Sequence, residues 1–297
     1  MRSLLKQFFS LPIIILDAIS RTYMSILSVA FFGRVPFWLD IQSRRISART
    51  STATHTVTVT GKSYTFVFHS PNALCQWRID TFSTKEPETL DWIDRHGGDG
   101  VLFDIGANVG LYSIYYAKTH SGNVYAFEPS VFNLALLAKN INANRVQDKI
   151  RIVTNPLTAQ NEFADFNLQV TDEGGALSAF GVEYGQDGLP LQKVLSYQTC
   201  GFSLDYLMEQ GILSEYPSLI KADVDGIEHL ILRGARKTLT HPLCRSILIE
   251  VHQDFKALSK EVSFILSEAG FELTTDDRVN QIWIKQQKTI LPVQRDA

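Results

Sequence analysis

Short apolar runs alternate with helical patterns through residues 100–285 of this 297-residue chain. Each run has the length of a buried strand and precedes apolar residues spaced three and four apart, as on one face of a helix. Strands are predicted at Val101–Ile105, Asn123–Phe127, Ile150–Thr154, Leu219–Val224 and Ser246–Val251, with a closing hairpin of Phe271–Thr274 and Gln281–Lys285. Strands that alternate with helices are typical of a mostly parallel sheet with helices on both faces.

The remaining patterns predict elements before and between these strands. Alternation in residues 55–69, around Gly61, predicts a β-hairpin, and a helix is expected from Pro87 to His96. The glycine-rich residues 171–200 read as a long loop, the kind that often carries function. Further expectations are an added strand at Phe163–Val170, a short helix at Leu204–Glu209 and a helix interrupted near Gly234. Residues 1–50 are expected to form a helical segment, 51–98 a hairpin and helix that cover the sheet, and 99–290 the main domain.

Basic charge is concentrated at the N-terminus. Residues 1–50 hold seven Lys or Arg and two Asp, whereas the whole chain has a net charge of −3. Residues 1–40 predict one or two amphipathic helices, and Asp17 and Arg21 leave no apolar run long enough to span a bilayer. We expect these helices to pack on the domain or a partner subunit. The alternative is peripheral contact with the inner face of an anionic membrane.

Composition argues against several classes of partner and site. No later cluster of Lys and Arg with interleaved aromatic residues is present, so nucleic acid is not predicted as a partner. Cys75, Cys200 and Cys244 are far apart and odd in number, and none belongs to a CxxC pair. Neither a disulfide framework nor a zinc site is therefore predicted. Reduced, mostly packed thiols fit a cytoplasmic protein.

The stretch VLFDIGANVGLY, from Val101 to Tyr112, has the form of a strand, a turn and a helix start over a ligand. Gly106 and Gly110 stand four residues apart, whereas a dinucleotide-binding turn has three glycines in the pattern GxGxxG. Small residues at positions 106, 107 and 110 let a ligand approach the backbone closely. Asp104 adds a negative charge that suits a cationic ligand better than a phosphate. The turn therefore favours S-adenosylmethionine over NAD.

Several motifs occur in an order that resembles the FkbM-type S-adenosylmethionine-dependent methyltransferases: DIGANVGLYSIYYAK, VYAFEPSVFNLALLAKNINAN, SLDYL, IKADVDGIEHLILRGARKTL and ILIEVH. The resemblance covers about residues 82–285. It implies a Rossmann-like class I methyltransferase fold, an α/β sheet of seven mostly parallel strands in which strand 7 is antiparallel. It also implies O-methylation of a hydroxyl, chiefly of a sugar or polyketide. Asp225 stands where the family usually has Glu, and Asn155–Thr158 replace its commoner Ala-Leu-Ser-Asp run.

Candidate cofactor-binding residues follow from the glycine turn and from the end of the second strand. Glu128 can accept two hydrogen bonds from a ribose diol, and Pro129 stops the strand there. The predicted cofactor-binding residues are Glu86, Asp104, Gly106, Ala107, Asn108, Gly110, Tyr112, Ser113, Glu128, Pro129 and Asp223.

Acidic residues gather at the ends of the fourth and fifth strands, at the edge where open α/β sheets bind ligands. Asp223, Glu250 and His252 are the predicted catalytic residues, and Asp223 or His252 is expected to take the proton of an acceptor hydroxyl. Glu228, three residues after Asp225, is expected to form a capping box at the next helix. A divalent metal on Asp223 and Glu250 is the weaker alternative because no spaced ligand motif supports it, so no metal is predicted.

Other functions compete with methylation of a sugar, a glycan or another hydroxylated small molecule. A nucleic-acid amino methyltransferase would carry Asn/Asp-Pro-Pro-aromatic after the fourth strand, where this chain reads Asp223-Val224-Asp225-Gly226. An NAD-dependent sugar oxidoreductase is disfavoured by the missing central glycine of the turn. A non-catalytic, membrane-associated adaptor is motivated by the basic, apolar N-terminal segment.

Overall fold

The computed structural model describes residues 52–251, 255–277 and 279–285. The strands are β1 Thr52–Val59, β2 Lys62–His69, β3 Leu102–Ile105, β4 Val124–Phe127, β5 Ile150–Val153, β6 Glu162–Leu168, β7 Ser178–Phe180, β8 Leu195–Gly201, β9 Leu219–Ala222, β10 Ser246–Glu250, β11 Phe271–Asp276 and β12 Asn280–Lys285. The helices are α1 Ala73–Asp80, α2 Pro87–His96, α3 Leu111–Thr119, α4 Val131–Asn144, α5 Leu204–Glu209, α6 Glu228–Arg233, α7 Arg236–Thr240 and α8 Lys256–Glu268. None of these helices is long and apolar enough to cross a lipid bilayer. The helices predicted for residues 1–40, and His252, lie outside the described residues.

The central sheet has seven strands in the order β11-β12-β10-β9-β3-β4-β5. Strand β12 runs antiparallel to β10 and to β11, and the other neighbouring strands pair in parallel. The chain builds outward from β3 to β5 on one side and then crosses to β9 on the other. This topology confirms the predicted class I sheet with one antiparallel strand. It also places a crevice between the ends of β3 and β9, where the strand order reverses and open α/β sheets bind ligands.

Alternate residues of the central strands face two separate hydrophobic clusters. Leu102 of β3 belongs to one cluster, while Phe103 and Ile105 belong to the other, and β4, β9 and β10 divide in the same way. Helices α2, α3 and α4 contribute to the cluster of Leu102, and α5 to α8 contribute to the second. Because both faces of these strands are buried, they read as continuous apolar runs in the sequence. That burial explains why their positions were predictable.

Strands β1 and β2 form the predicted hairpin as a separate two-stranded sheet. Its turn lies at Thr60 and Gly61, which have φ values of 48° and 81°. Two-residue hairpin turns that match the strand twist use such positive φ values. Phe66 of β2 is fully buried, and its ring lies 5.6 Å from that of Tyr115 in α3 and 5.9 Å from that of Phe82. The hairpin therefore shares one core with the central sheet.

Residues 162–201 correct one expectation from the sequence. Strand β6 pairs along its length with β8 and on its other side with β7, in an antiparallel sheet of order β7-β6-β8. The predicted loop of residues 171–200 was therefore wrong at the positions of β7 and most of β8. Strand β8 is largely polar, with Ser196, Gln198 and Thr199 among its residues, so it lacks the apolar alternation that signals a strand. The predicted added strand is confirmed as β6.

The helical region after β9 is interrupted as predicted. Helix α6 ends at Arg233 and α7 begins at Arg236. A Cβ atom on Gly234 would lie 2.2 Å from the backbone oxygen of Thr158, closer than any real contact. The chain therefore needs glycine where these two segments of backbone meet.

Candidate active site

A cavity of about 260 Å³ opens at the carboxyl edge of the central sheet, beside the ends of β3, β4, β9 and β10. Apolar side chains such as Ile105, Phe127, Leu157, Phe166 and Phe180 form much of its wall. Apolar walls with a few convergent polar groups are typical of small-molecule sites. The polar and charged side chains of the lining are Arg78, Lys85, Asn108, Glu128, Asn133, Asn155, Ser178, Gln186, Asp223, Asp225 and Glu250.

The turn after β3 brings its backbone against two neighbouring strands. The N–H groups of Gly106 and Ala107 donate to the Phe127 oxygen at 3.0 and 2.9 Å. Gly106 has a φ of 83°, and a Cβ atom there would lie 1.9 Å from the backbone oxygen of Asp223. Gly110, with a φ of 88°, precedes the first residue of α3. Glycine is required at position 106 because the backbones of β3 and β9 approach so closely at the edge of the cavity.

Glu128 is 5% exposed and joins the turn to the end of β4. Its Oε2 accepts a hydrogen bond from Asn108 N at 2.7 Å, and its Oε1 accepts one from Ser130 N at 2.8 Å. Burial raises the pKa of Glu128 to about 7, although both backbone N–H groups favour the ionised form. A carboxylate offers roughly four acceptor positions. Acceptor capacity therefore remains for a ligand in the cavity that Glu128 lines.

Asp104 lies behind the turn and does not line the cavity. It is 1% exposed, and its Oδ2 accepts a hydrogen bond from Ser113 Oγ at 2.5 Å. Its Oδ1 is buried with no hydrogen-bond partner among the described residues. Burial raises the pKa of Asp104, and the nearby Lys221 ammonium acts in the opposite direction. Asp104 and Ser113 thus link β3 to α3 behind the turn.

Lys221 is a charged residue in the fully buried strand β9, and it is 2% exposed. Its Nζ donates to Asp223 Oδ2 at 2.9 Å and lies 5.1 Å from the centre of the Tyr112 ring. Burial disfavours the charge on Lys221, but the carboxylates of Asp223, Asp104 and Glu86 outweigh it and raise the pKa of Lys221. A permanent positive charge therefore lies beneath the acidic edge of the sheet.

Asp223 and Glu250 form a hydrogen-bonded carboxyl pair at the ends of β9 and β10. Burial acts to raise the pKa of Asp223, but the Lys221 ammonium and the hydrogen bonds from Lys221 and Glu250 hold it below its usual value. Burial and the charge of Asp223 raise the pKa of Glu250 far above its usual range. Both shifts favour a state in which Glu250 carries a proton and Asp223 is ionised. Within the described ranges, no group of three or more His, Cys, Asp or Glu side chains is arranged to hold a metal ion.

Asp225 and Glu228 order the loops around the pair. Asp225 Oδ2 accepts hydrogen bonds from Leu177 N at 2.7 Å and Ser178 N at 3.2 Å. Glu228 accepts from Val224 N at 3.0 Å and Gly226 N at 3.1 Å. The predicted capping box was therefore wrong, because α6 has no side-chain cap and Glu228 binds the turn that precedes it. Both carboxylates hold backbone that lines the cavity.

Residues 173–178 pass beside the cavity and are held by side chains from separate elements. Asn133 of α4 accepts from Gly174 N at 2.9 Å and donates to the Gly175 oxygen at 3.0 Å. Asn108 donates to the same oxygen at 2.8 Å. Leu177 has a φ of 63°, an unusual value for a side chain of its size. We call residues 173–178 the strap; its geometry depends on contacts with the rest of the site.

A second cavity, of about 50 Å³, is also lined by Asp223. Glu86 and Tyr112 line it together, and the Tyr112 hydroxyl donates to Glu86 Oε2 at 2.8 Å. Arg78, Lys85 and Asp223 line both cavities. We call this second space the small cavity.

The two cavities bring together many, but not all, of the residues predicted from the sequence. Glu128, Asp223 and Glu250 line the large cavity with Gly106, Asn108 and Pro129. Glu86, Tyr112 and Asp223 line the small one. Asp104, Ala107, Gly110 and Ser113 line neither, and His252 lies outside the described residues. The cofactor-binding and catalytic assignments stay predictions.

Sequence reasoning missed Lys221 and Asn133, whereas the strap lies within the loop of residues 171–200 that was expected to carry function. Lys221 carried a signal, because a lysine inside the run LIKA of a buried strand needs a charged partner nearby. Asn133 carried none, since its role depends on the strap reaching α4. Asn155 and Pro156, noted as departures from the family pattern, do line the large cavity.

Comparison with known families identifies the main part of the chain. A family model described as the methyltransferase FkbM domain matches residues 104–273. Hexuronic acid methyltransferase AglP of Haloferax volcanii is 25% identical over 194 residues, which cover 65% of this chain and 72% of that protein. The 31-O-demethyl-FK506 methyltransferase FkbM of Streptomyces tacrolimicus is 27% identical over 207 residues, covering 61% of this chain and 78% of that protein.

Comparison with solved structures gives matches of low sequence identity. Fibrillarin of Aeropyrum pernix, determined with natively bound S-adenosyl-L-methionine, covers 78% of this chain and 81% of its own. Its sequence identity to this chain is 11%, and the TM-score is 0.44.

Proposed function

Because this chain belongs to the FkbM methyltransferase family, we propose that it uses S-adenosylmethionine to methylate a hydroxyl group of a sugar, a glycan or another small molecule. The observation that carries the proposal is the large cavity, where the glycine turn, Glu128 and the Asp223–Glu250 pair converge. The relatives named as methyltransferases of a hexuronic acid and of 31-O-demethyl-FK506 favour a small-molecule acceptor.

The residues of the large cavity fit this cofactor. When bound, S-adenosylmethionine supplies a methyl group on a positively charged sulfonium. Glu128 keeps acceptor positions for the hydroxyls of a ribose, and its two backbone hydrogen bonds fix the carboxylate in place. Burial raises the pKa values of Glu128 and Asp225 to about 7 and about 6. A cationic ligand favours their ionised forms, so the site and the cofactor charge are complementary.

Asp223 is the proposed base for the acceptor hydroxyl. It lines the large cavity and is ionised at neutral pH, so it can accept the proton that the hydroxyl loses. Lys221 and Glu250 position its carboxylate from two directions. A weak base suffices because the oxygen becomes a strong acid as it forms its bond to the methyl carbon. His252 keeps its predicted role as the alternative base.

The proposal is tested by transfer of a labelled methyl group. The full chain is incubated with S-adenosylmethionine labelled in its methyl group and with glycan and small-molecule fractions of the source organism. We expect label in a product that withstands mild alkali, since methyl ethers survive it and methyl esters do not. Label confined to protein or nucleic acid, or no transfer to any fraction, would overturn the proposed acceptor class.

Variants of the carboxyl pair test the proposed base. Asp223→Asn is expected to slow single-turnover transfer by about 10²- to 10⁴-fold, the usual contribution of a general base. Glu250→Gln is expected to slow single-turnover transfer by less than about tenfold, because its amide N–H can still donate to Asp223. A His252→Ala variant that loses transfer while Asp223→Asn keeps it would move the role to His252.

A further inference from the structure

Arg78 occupies the junction between the two cavities. It lies on α1 and, with Lys85 and Asp223, lines both spaces. Its side chain is partly buried, and its Nε donates to the Gly174 oxygen of the strap at 2.7 Å. The strap is also held by α1 through Asn72, whose Nδ2 donates to the Glu173 oxygen at 2.9 Å. The guanidinium is therefore anchored at Nε.

The terminal nitrogens of Arg78 make no hydrogen bond or ion pair within the described part of the chain. Other cations near the cavities have carboxylate partners: Lys221 binds Asp223, and Lys85 binds Glu86. Arg78 thus directs a planar fork of donors, with its charge not neutralised by a direct partner, toward a space that a ligand can enter. A guanidinium fork matches the two oxygens of a carboxylate.

Part of the wall of the small cavity is acidic. Glu86 is fixed there by the Tyr112 hydroxyl at 2.8 Å, and Asp223 is held by the Lys221 ammonium at 2.9 Å. A group that carries a carboxylate beside an ammonium can therefore pair with Arg78 and with the acidic wall at once. The free end of an α-amino acid has this charge pattern.

We propose that Arg78, with Lys85 beside it, is a carboxylate-binding subsite for a ligand that extends from the large cavity into the small one. The inference rests on the proposed function, in which the cofactor carries an α-amino acid tail. A carboxylate on an acidic acceptor would present the same chemistry to the same fork. The two sources are separated by the experiment.

The test compares two ligands that differ by one carboxylate. Binding of S-adenosylhomocysteine and of its decarboxylated analogue, S-adenosyl-3-thiopropylamine, is measured by titration calorimetry for the wild type and for Arg78→Met. We expect Arg78→Met to lower the affinity for S-adenosylhomocysteine by about 10- to 100-fold, the loss typical of hydrogen bonds to a charged group. The affinities of the wild type and of Arg78→Met for the decarboxylated analogue should agree within about threefold. Arg95→Met, which removes an exposed arginine outside both cavities, should bind both ligands as the wild type does.

The two ligands also separate a structural role from a binding role. If Arg78 only holds the strap through Gly174, its loss would lower the affinity for both ligands equally. That result would overturn the proposal. If both ligands bind normally while transfer to acidic acceptor fractions falls and transfer to neutral fractions does not, the carboxylate belongs to the acceptor and the subsite stands. No change in any of these measurements would overturn it.

A second variant guards against loss of the fold. If Arg78→Met lowers the melting temperature sharply, Arg78→Lys replaces it, because lysine keeps the charge but lacks the planar fork. Arg78→Lys is expected to lower the affinity for both ligands unequally. The fold loss for S-adenosylhomocysteine should exceed that for the decarboxylated analogue by at least about threefold. Equal effects would contradict the subsite. Failure of the wild type to bind either ligand would instead contradict the proposed function.

Discussion

At the scale of single residues, the buried carboxylates of the site differ in whether a positively charged side chain stabilises their ionised form. Asp223 lies 2.9 Å from the Lys221 ammonium and is ionised at neutral pH. Glu228 is 2% exposed, and its hydrogen-bond partners within the described part of the chain, such as Val224 and Gly226, are backbone N–H groups. Burial therefore dominates at Glu228 and raises its pKa to about 7. A full countercharge distinguishes the proposed base from its neighbours.

The raised pKa of Glu228 predicts a pH-dependent stability. The folded protein binds a proton more tightly there than the unfolded chain, whose carboxylate has the usual value of 4.5. The resulting stabilisation is complete below pH 4.5 and is lost as the pH rises through about 7. Between pH 5 and pH 8, the wild type should therefore lose about 2–3 kcal/mol of unfolding free energy relative to Glu228→Gln.

Urea denaturation at both pH values measures this difference. Glu268→Gln, at an exposed position of α8, serves as the control and should run parallel to the wild type. Parallel curves for the wild type and Glu228→Gln would show that burial does not hold a proton on Glu228.

At the scale of elements, the approach of the turn after β3 to the end of β9 shapes the crevice. Gly106 and Asp223 meet through backbone atoms, so no side chain fits between them. Gly211, by contrast, has a φ of 66° and open space around its Cβ position. The two glycines share a left-handed backbone but differ in crowding.

Alanine at these two positions separates conformational strain from backbone overlap. Gly211→Ala is expected to cost about 1–2 kcal/mol of unfolding free energy, the cost of a side chain in the left-handed region. Gly106→Ala should cost about 3 kcal/mol or more, because overlap with the Asp223 oxygen adds to that strain. Urea midpoints measure both losses. Equal losses would mean that β3 and β9 can separate at the cavity without cost.

At the scale of the whole molecule, the central sheet was predictable because both faces of its strands are buried. Continuous apolar runs such as Leu102–Ile105 and Leu219–Ala222 identify such strands without knowledge of their neighbours. Strand β8 was missed because its residues are mostly polar and its pairing with β6 is not encoded in a local pattern. Helix α1 was missed for a related reason, since only Cys75 and Ile79 of its residues are buried.

The residues of the candidate site that directly follow a buried strand were predictable from the sequence. Glu128 and Asp223 follow buried strands, and both line the large cavity. Asp104 was expected to face a cationic ligand, but the structure buries it against Ser113, since its side chain points away from the cavity. The contact between Arg78 and the strap joins segments 96 residues apart, and no spacing rule in the sequence indicates that the two would meet. Long-range contacts therefore limit what the sequence alone predicts.

Binding of S-adenosylmethionine in the large cavity through Glu128 can be measured by titration calorimetry. S-Adenosylhomocysteine and NAD are titrated into the wild type, Glu128→Gln and Glu215→Gln, the last altering a carboxylate that precedes β9 at the opposite edge of the sheet. We expect the wild type to bind S-adenosylhomocysteine in preference to NAD, Glu128→Gln to lose about 1–3 kcal/mol of that affinity, and Glu215→Gln to match the wild type. Preferred binding of NAD, or unchanged affinity in Glu128→Gln, would show that the large cavity does not bind S-adenosylmethionine through Glu128.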